Sequence, residues 1–197
     1  MNELTELVII IDKSGSMSGL EKDVVGGFNA LIDKQRKEGK TLVTTIFFNH
    51  NVKIIHDGVD INEVKHLDER NYVPSGCTAL LDAVGNGIGL IKAKHAKLTE
   101  DQLPAHTIFS IMTDGLENSS IEYSYRQIKE MIGLQKKCGW DFLFQAANID
   151  VDAEAEKLGV DSNMAFKFEP SSQGVTRGIR FMCSKVTDIK RKKTKIN

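Results

Sequence analysis

Asp12-Lys13-Ser14-Gly15-Ser16 places one carboxylate and two hydroxyls within a single turn's reach, directly after the apolar run Leu7 to Ile11. A second apolar run, Thr107 to Thr113, ends at Asp114-Gly115. Between them Thr78 stands in Pro74-Ser75-Gly76-Cys77-Thr78-Ala79-Leu80, where a helix is expected to start. Carboxylates and hydroxyls offer only oxygen, the donor a hard divalent cation such as Mg²⁺ takes in octahedral geometry. No His or thiolate belongs to the set, which disfavours zinc. Gly15 is read as the residue that lets the chain turn between the two serines.

These groups meet only if the elements carrying them bring them to one edge. Leu7 to Ile11 is continuously apolar, as a strand covered on both faces should be. The helix after it shows Leu20, Val24, Phe28 and Leu31 on one stripe, with Ser18 and Glu21 at capping-box spacing. Gly26 and Gly27 inside it suggest close packing on the sheet. Leu42–Asn49 and Val52–Val59 read as strands joined at Asn49-His50-Asn51. Residues 60–74 read as irregular with one short helix. A helix from Ala79 to about Lys94 follows, weakened by Gly85, Gly87 and Gly89.

After the strand Thr107–Thr113, Ser124 and Gln127 cap a helix bearing Ile128, Met131, Ile132 and Gln135. Trp140–Ala147 is a strand, Asp152–Leu158 a short helix and Met164–Phe168 a last strand. Val175, Ile179, Met182 and Val186 mark a closing amphipathic helix. Such alternation predicts an α/β fold: a three-layer, Rossmann-like, doubly wound sheet with helices on both faces. The sheet should be mostly parallel, with one antiparallel edge strand from the hairpin. Residues 1–188 form one domain on this reading, and 189–197 a basic C-terminal tail. In such sheets, sites form where loops leave the carboxyl ends of neighbouring strands, so Asp12 and Asp114 should share an edge.

Asp12, Ser14, Ser16, Thr78 and Asp114 together resemble the metal-ion-dependent adhesion site of the von Willebrand factor type A family, whose pattern is D-x-S-x-S, then a Thr, then an Asp. The strings Ile-Asp-Lys-Ser-Gly-Ser-Met and Met-Thr-Asp-Gly-Leu-Glu-Asn look like those of prokaryotic intracellular members. The resemblance covers nearly the whole chain. It implies a Mg²⁺, with Ca²⁺ or Mn²⁺ as alternatives, held directly by Ser14, Ser16 and Thr78. Asp12 and Asp114 would bind directly or through water, leaving one vertex for an acidic side chain of a partner protein. Cys77 departs from the family, many members having glycine there. Helix capping would explain Asp12, Ser14 and Ser16 alone, but not Thr78 and Asp114 with them. Glu117, Asn118 and Ser119 are candidates to support Asp114 from behind, and loop-and-cap chemistry explains them equally well.

The chain's 197 residues carry a formal net charge of -1, so bulk electrostatics favour neither nucleic acid nor an anionic membrane. Lys190 to Lys195 read as a solvated basic end. Three scattered cysteines without CxxC spacing fit reduced thiols, and Glu3 and Glu6 before the first apolar run do not suit a signal peptide. A cytoplasmic location is therefore expected. His50, His56, His66, His95 and His106 show no ligand spacing. The expected function is a Mg²⁺-dependent protein-binding module, not an enzyme. The alternative, a Mg²⁺-dependent phosphatase of haloacid dehalogenase-like type, needs a second carboxylate two residues after Asp12, where Ser14 stands.

Overall fold

The computed structural model describes residues 3–194, with side-chain surroundings described as far as Arg191. Six strands form one sheet in the order β3-β2-β1-β4-β5-β6. They are β1 (Thr5–Asp12), β2 (Thr41–Phe48), β3 (Val52–Asp60), β4 (His106–Thr113), β5 (Trp140–Ala146) and β6 (Ala165–Lys167). All neighbours are parallel except β2 and β3, whose hairpin makes the antiparallel edge.

Every residue of β1 is buried, and its pleat sends alternate side chains to opposite faces. Leu7, Ile9 and Ile11 join one core with α1 (Glu21–Gln35) and α5 (Ser172–Thr194). Val8 and Ile10 join the other core with α2 (Leu80–His95), α3 (Tyr125–Lys137) and α4 (Val151–Leu158). The three layers and the doubly wound order are those expected. α1 crosses over one face from β1 to β2, whereas α2 crosses the other face from β3 to β4. The chain thus reverses its direction of winding between β1 and β4, and the carboxyl ends of those two strands border the crevice this creates.

Several local readings need correction. α1 starts after Leu20 with no side-chain cap; Ser18 does not cap it, and Glu21 instead accepts the Gly19 N–H at 2.9 Å. Residues 61–74 contain turns but no helix. Gly27 packs not on the sheet but on α5, where a Cβ would fall 1.6 Å from Ile179 Cδ1, while Gly26 meets nothing within 4 Å. Two of the three glycines that weaken α2's helical pattern, Gly85 and Gly87, let it close on its neighbours, whereas Gly89 meets nothing within 4 Å. A Cβ at Gly87 would come within 3.2 Å of Ile10 and Ile46, and one at Gly85 within 2.6 Å of the Tyr123 ring. The Ser124–Gln127 capping box of α3 is formed.

The boundary read at residue 188 falls inside a helix, because α5 continues to Thr194. Ile189 and Lys190 are buried. The Lys190 ammonium donates to Gln35 Oε1 at 2.8 Å and Thr41 Oγ1 at 3.0 Å, and Arg191 pairs with Glu38 at 3.4 Å. The supposed solvated tail therefore begins as a packed helix end; residues 195–197 lie outside the described ones.

Burial holds the Lys190 ammonium down to about 8, against a smaller upward pull from Glu38. Above that pH and below the ordinary lysine value, the unfolded chain keeps a proton that the folded one has released. Folding stability gains from this group as pH rises through that window. Urea unfolding at about pH 7.5 and about pH 9.5 should therefore show wild type gaining on Lys190→Met. A constant gap between the two proteins would mean the ammonium is solvated.

Candidate metal centre

β1 delivers Asp12 to the edge of the sheet, where it is fully buried. Its carboxylate is held from both sides. The Ser14 N–H donates to Oδ1 at 2.7 Å, and Thr113 Oγ1, at the end of β4, donates to Oδ2 at 2.6 Å. The buried Tyr72 hydroxyl donates to the Asp12 carbonyl. Ser14, Gly15 and Ser16 then leave in a tight 3-10 turn. Ser14 Oγ lies 3.0 Å from Ser16 Oγ, and Ser16 Oγ donates to Asp114 Oδ1 at 2.5 Å. One connected chain of contacts thus joins four of the five expected residues, across 98 positions of sequence between Ser16 and Asp114.

Thr78 comes to the same place on a separately anchored loop. The Ser75 N–H donates to the Lys13 carbonyl and the Gly15 N–H to the Gly76 carbonyl, each at 2.9 Å. The Ala79 N–H donates to the Asn49 carbonyl at 2.8 Å. Thr78 and Asn118 are fastened reciprocally, Thr78 N–H to Asn118 Oδ1 at 2.9 Å and Asn118 N–H to the Thr78 carbonyl at 3.0 Å. A Cβ placed on Gly115 would lie 3.5 Å from Ser16 Oγ and 3.7 Å from Thr78 Oγ1, so both hydroxyls border the same point.

The turn's conformational demand falls on Gly76 rather than Gly15. Gly76 has φ +76°, and its missing side chain leaves room for the His50 ring. Gly15 has no left-handed φ. The Cys77 side chain is exposed, so the departure from glycine does not crowd the buried hydroxyls.

The electrostatics are one-sided. Neither Asp12 nor Asp114 has an ion pair among the described residues, and both are buried. Asp114 Oδ2 is shielded from solvent and has no hydrogen-bond partner. Burial raises the Asp12 carboxyl above the usual carboxylate range, the bonds from Thr113 and Ser14 oppose this, and Asp114 adds repulsion. Burial likewise raises Asp114, against the Ser16 bond. Two desolvated carboxylates, an unused carboxylate oxygen and three converging hydroxyls suit a small hard cation. Among the described residues no group of three or more His, Cys, Asp and Glu side chains could hold a metal. Such a cation would therefore rely on the hydroxyls.

Three contributors are not legible from the motif. Thr113 could have been suspected from its place before Asp114, but Tyr72 is 60 residues from Asp12 and carries no local signal. Asn118 supports Thr78 rather than Asp114. Glu117 does loop and cap work, accepting from the N–H groups of Ser119, Ser120 and Leu81 at 2.7–2.9 Å. Asp82 does the same for Ile121, Glu122 and Tyr123 at 2.9–3.0 Å.

No family model matches the chain, and no curated protein matches it significantly. Solved structures do. The vWF domain of the type V pili tip protein Mfa5 from Porphyromonas gingivalis is 12% identical with a TM-score of 0.69, covering 94% of this chain and 96% of that one. The SpRpn10 VWA domain is 13% identical with a TM-score of 0.60, covering 89% and 94%. Proximal thread matrix protein 1 from the mussel byssus, in a form with a zinc-occupied MIDAS motif, is 13% identical with a TM-score of 0.63. That match covers 93% of this chain but 46% of the byssus protein, so the present chain spans under half the latter's length. Likenesses this remote in sequence speak for architecture: the chain has the fold of von Willebrand factor type A domains.

Asp114→Asn removes a buried charge that no cationic side chain among the described residues pairs with. A carboxyl whose pKa is raised on folding holds its proton more tightly when folded, so its ionised form opposes folding at neutral pH. In the presence of chelator, Asp114→Asn should melt above wild type. An equal or lower melting temperature would show that the charge is compensated.

Proposed function

We propose that this domain is a protein-binding module that works through a divalent cation, Mg²⁺ in the first instance. The observation that carries the reading is the pair of buried, unpaired carboxylates, Asp12 and Asp114, facing the hydroxyls of Ser14, Ser16 and Thr78. These five residues would hold the ion, the hydroxyls directly and the carboxylates directly or through water. When bound, the cation supplies a Lewis-acidic position that an acidic side chain of a partner can occupy.

The chain's own groups prepare that position. Thr113 and the Ser14 N–H orient Asp12, Ser16 orients Asp114, and Asn118 fixes the loop of Thr78. Such outer bonds fix the direction of the ligands, and losing one costs metal affinity. Ser16 is exposed whereas Asp12, Ser14, Thr78 and Asp114 are buried, so a partner's side chain enters past Ser16.

Nothing in this arrangement requires turnover. A phosphatase of the aspartate-nucleophile kind needs a carboxylic acid where Ser14 stands, and the Ser14 hydroxyl is instead shared with Ser16. We therefore read the domain as a binder and not an enzyme. The three cysteines are free, two of them exposed, which suits a reducing, cytoplasmic setting. Among the described residues no helix is long and apolar enough to cross a membrane. Lys190 and Arg191 are engaged within the fold, which weakens the case for a nucleic-acid contact through the basic run.

Calorimetric titration with Mg²⁺ should give one site in wild type. Asp12→Ala and Thr78→Ala should each weaken it by at least about tenfold, and Thr113→Val by about tenfold or more through Asp12. Mg²⁺ should raise the melting temperature of wild type and leave that of Asp12→Ala unmoved. Wild-type protein that takes up no divalent ion, or variants that bind as well, would overturn the reading.

A further inference from the structure

The turn between β2 and β3 reaches beyond the two strands it joins. Phe48, the last residue of β2, is in register with Asp12, so Asn49 begins the turn at the sheet edge beside the site. Within the turn, Asn49 Oδ1 accepts the Asn51 N–H at 2.9 Å, and the Asn49 N–H donates to the Asn51 carbonyl at 3.0 Å. An aspartate or a serine would serve such a turn equally well, because each offers a side-chain oxygen. What the carboxamide adds is a separate N–H donor on the same group.

That donor is used outside the turn. Asn49 Nδ2 donates to the Ser75 carbonyl at 2.8 Å, and the Asn49 carbonyl accepts the Ala79 N–H, also at 2.8 Å. Residues 75 and 79 are the feet of the arch that carries Thr78, so one buried side chain and its own carbonyl hold both feet. The crown of the arch meets the rest of the site, the Gly76 carbonyl accepting the Gly15 N–H between the two serines. The His50 ring fills the room beside Gly76, where a Cβ would fall 2.1 Å from Nδ1. Asn118 bonds Thr78 on both sides of its backbone, but it ties the arch to the loop after β4. Asn49 ties the arch to the sheet itself, through a strand paired along its length with β1.

We infer that Asn49 is a positioning residue for Thr78, setting where the Thr78 hydroxyl stands relative to Asp12, Ser14 and Ser16. The inference rests on the metal-binding reading and adds to it a residue from a strand end that carries none of the five oxygen donors. Asp12 and Asp114 stand at or just beyond the ends of β1 and β4, and the two serines follow Asp12 directly. Thr78 has no strand immediately before it, because β3 ends at Asp60. Its place has to be fixed from outside, and the Asn49 carboxamide does this at the Ser75 foot. A hydrogen-bonding group behind a ligand alters metal affinity without touching the metal. Asn49 acts only through Thr78, so its loss matters only while the Thr78 hydroxyl is there to be placed.

Asn49→Ser keeps an acceptor for the Asn51 N–H and removes the arm to Ser75, so the turn itself survives. Mg²⁺ titration of the full chain compares wild type, Asn49→Ser, Thr78→Ala and the double variant, with a cooperative melting transition as the check on folding. Asn49→Ser should weaken binding about tenfold when Thr78 is present. With alanine at 78 the further loss should be under about twofold, the non-additivity of two residues that act through one group. Equal losses in both backgrounds would mean a general loosening of the fold, and no loss in either would mean that the arch stands without Asn49. Each of these overturns the proposal and leaves the metal reading intact. Amide exchange in chelator supplies a readout that needs no metal: Asn49→Ser should speed exchange at Gly15 and Ala79 and leave Ile10 in β1 unmoved. Unchanged exchange at Gly15 and Ala79 would also overturn the proposal. Wild type that takes up no Mg²⁺ would remove the metal reading and this one with it.

Discussion

Two carboxylates, Asp12 and Asp114, lie out of water at the sheet edge, with no cationic side chain among the described residues paired with either, and most of the surrounding structure can be understood as the means of keeping them there. A buried carboxylate left alone tends to protonate or to pull its surroundings open. Here Asp12 receives a backbone N–H and a threonine hydroxyl, and Asp114 receives a serine hydroxyl. These bonds lessen the penalty without cancelling it, as the raised pKa values of both groups indicate. The Asp114 oxygen without a partner is the residue of that imbalance.

The sheet makes the imbalance tolerable by being rigid. β1 runs through the centre with neighbours on both sides and core on both faces, so its last residue has no freedom to move towards solvent. β4 is locked to it in register from Thr5–His106 to Ile11–Met112, which puts Thr113 beside Asp12. The loops then add what strands cannot. Hydroxyl groups arrive from a turn and from a helix start, each fastened by backbone hydrogen bonds to a different strand end.

The likeness to vWF-type domains at 12–13% identity follows from the same division of labour. The layers require apolar residues at alternating strand positions and on helix stripes, a demand many sequences meet. Pilus, byssus and Rpn10 chains share the resulting frame with this one.

Much of the frame was legible beforehand because periodicity is a local property. The all-apolar β1, the amphipathic α1 and α5 and the Ser124–Gln127 cap follow from neighbouring residues. The D-x-S-x-S run, Thr78 and Asp114 could be picked out for the same reason, each lying directly after a strand or before a helix. Where local spacing competed with longer-range contacts it misled. Ser18 has the spacing of a cap but none of its bonds, and the lysine-rich end that looks solvated is partly drawn into the core by Gln35 and Thr41. Residue types and their order determined the layers and nominated the oxygen donors. Only tertiary structure decided that Tyr72, Thr113 and Asn118 hold those donors, that Gly76 rather than Gly15 makes the turn, and that Asp114 keeps an oxygen free. Each of those facts is a meeting of distant segments, and the spacing of residues along a chain carries no record of what lies across a sheet edge.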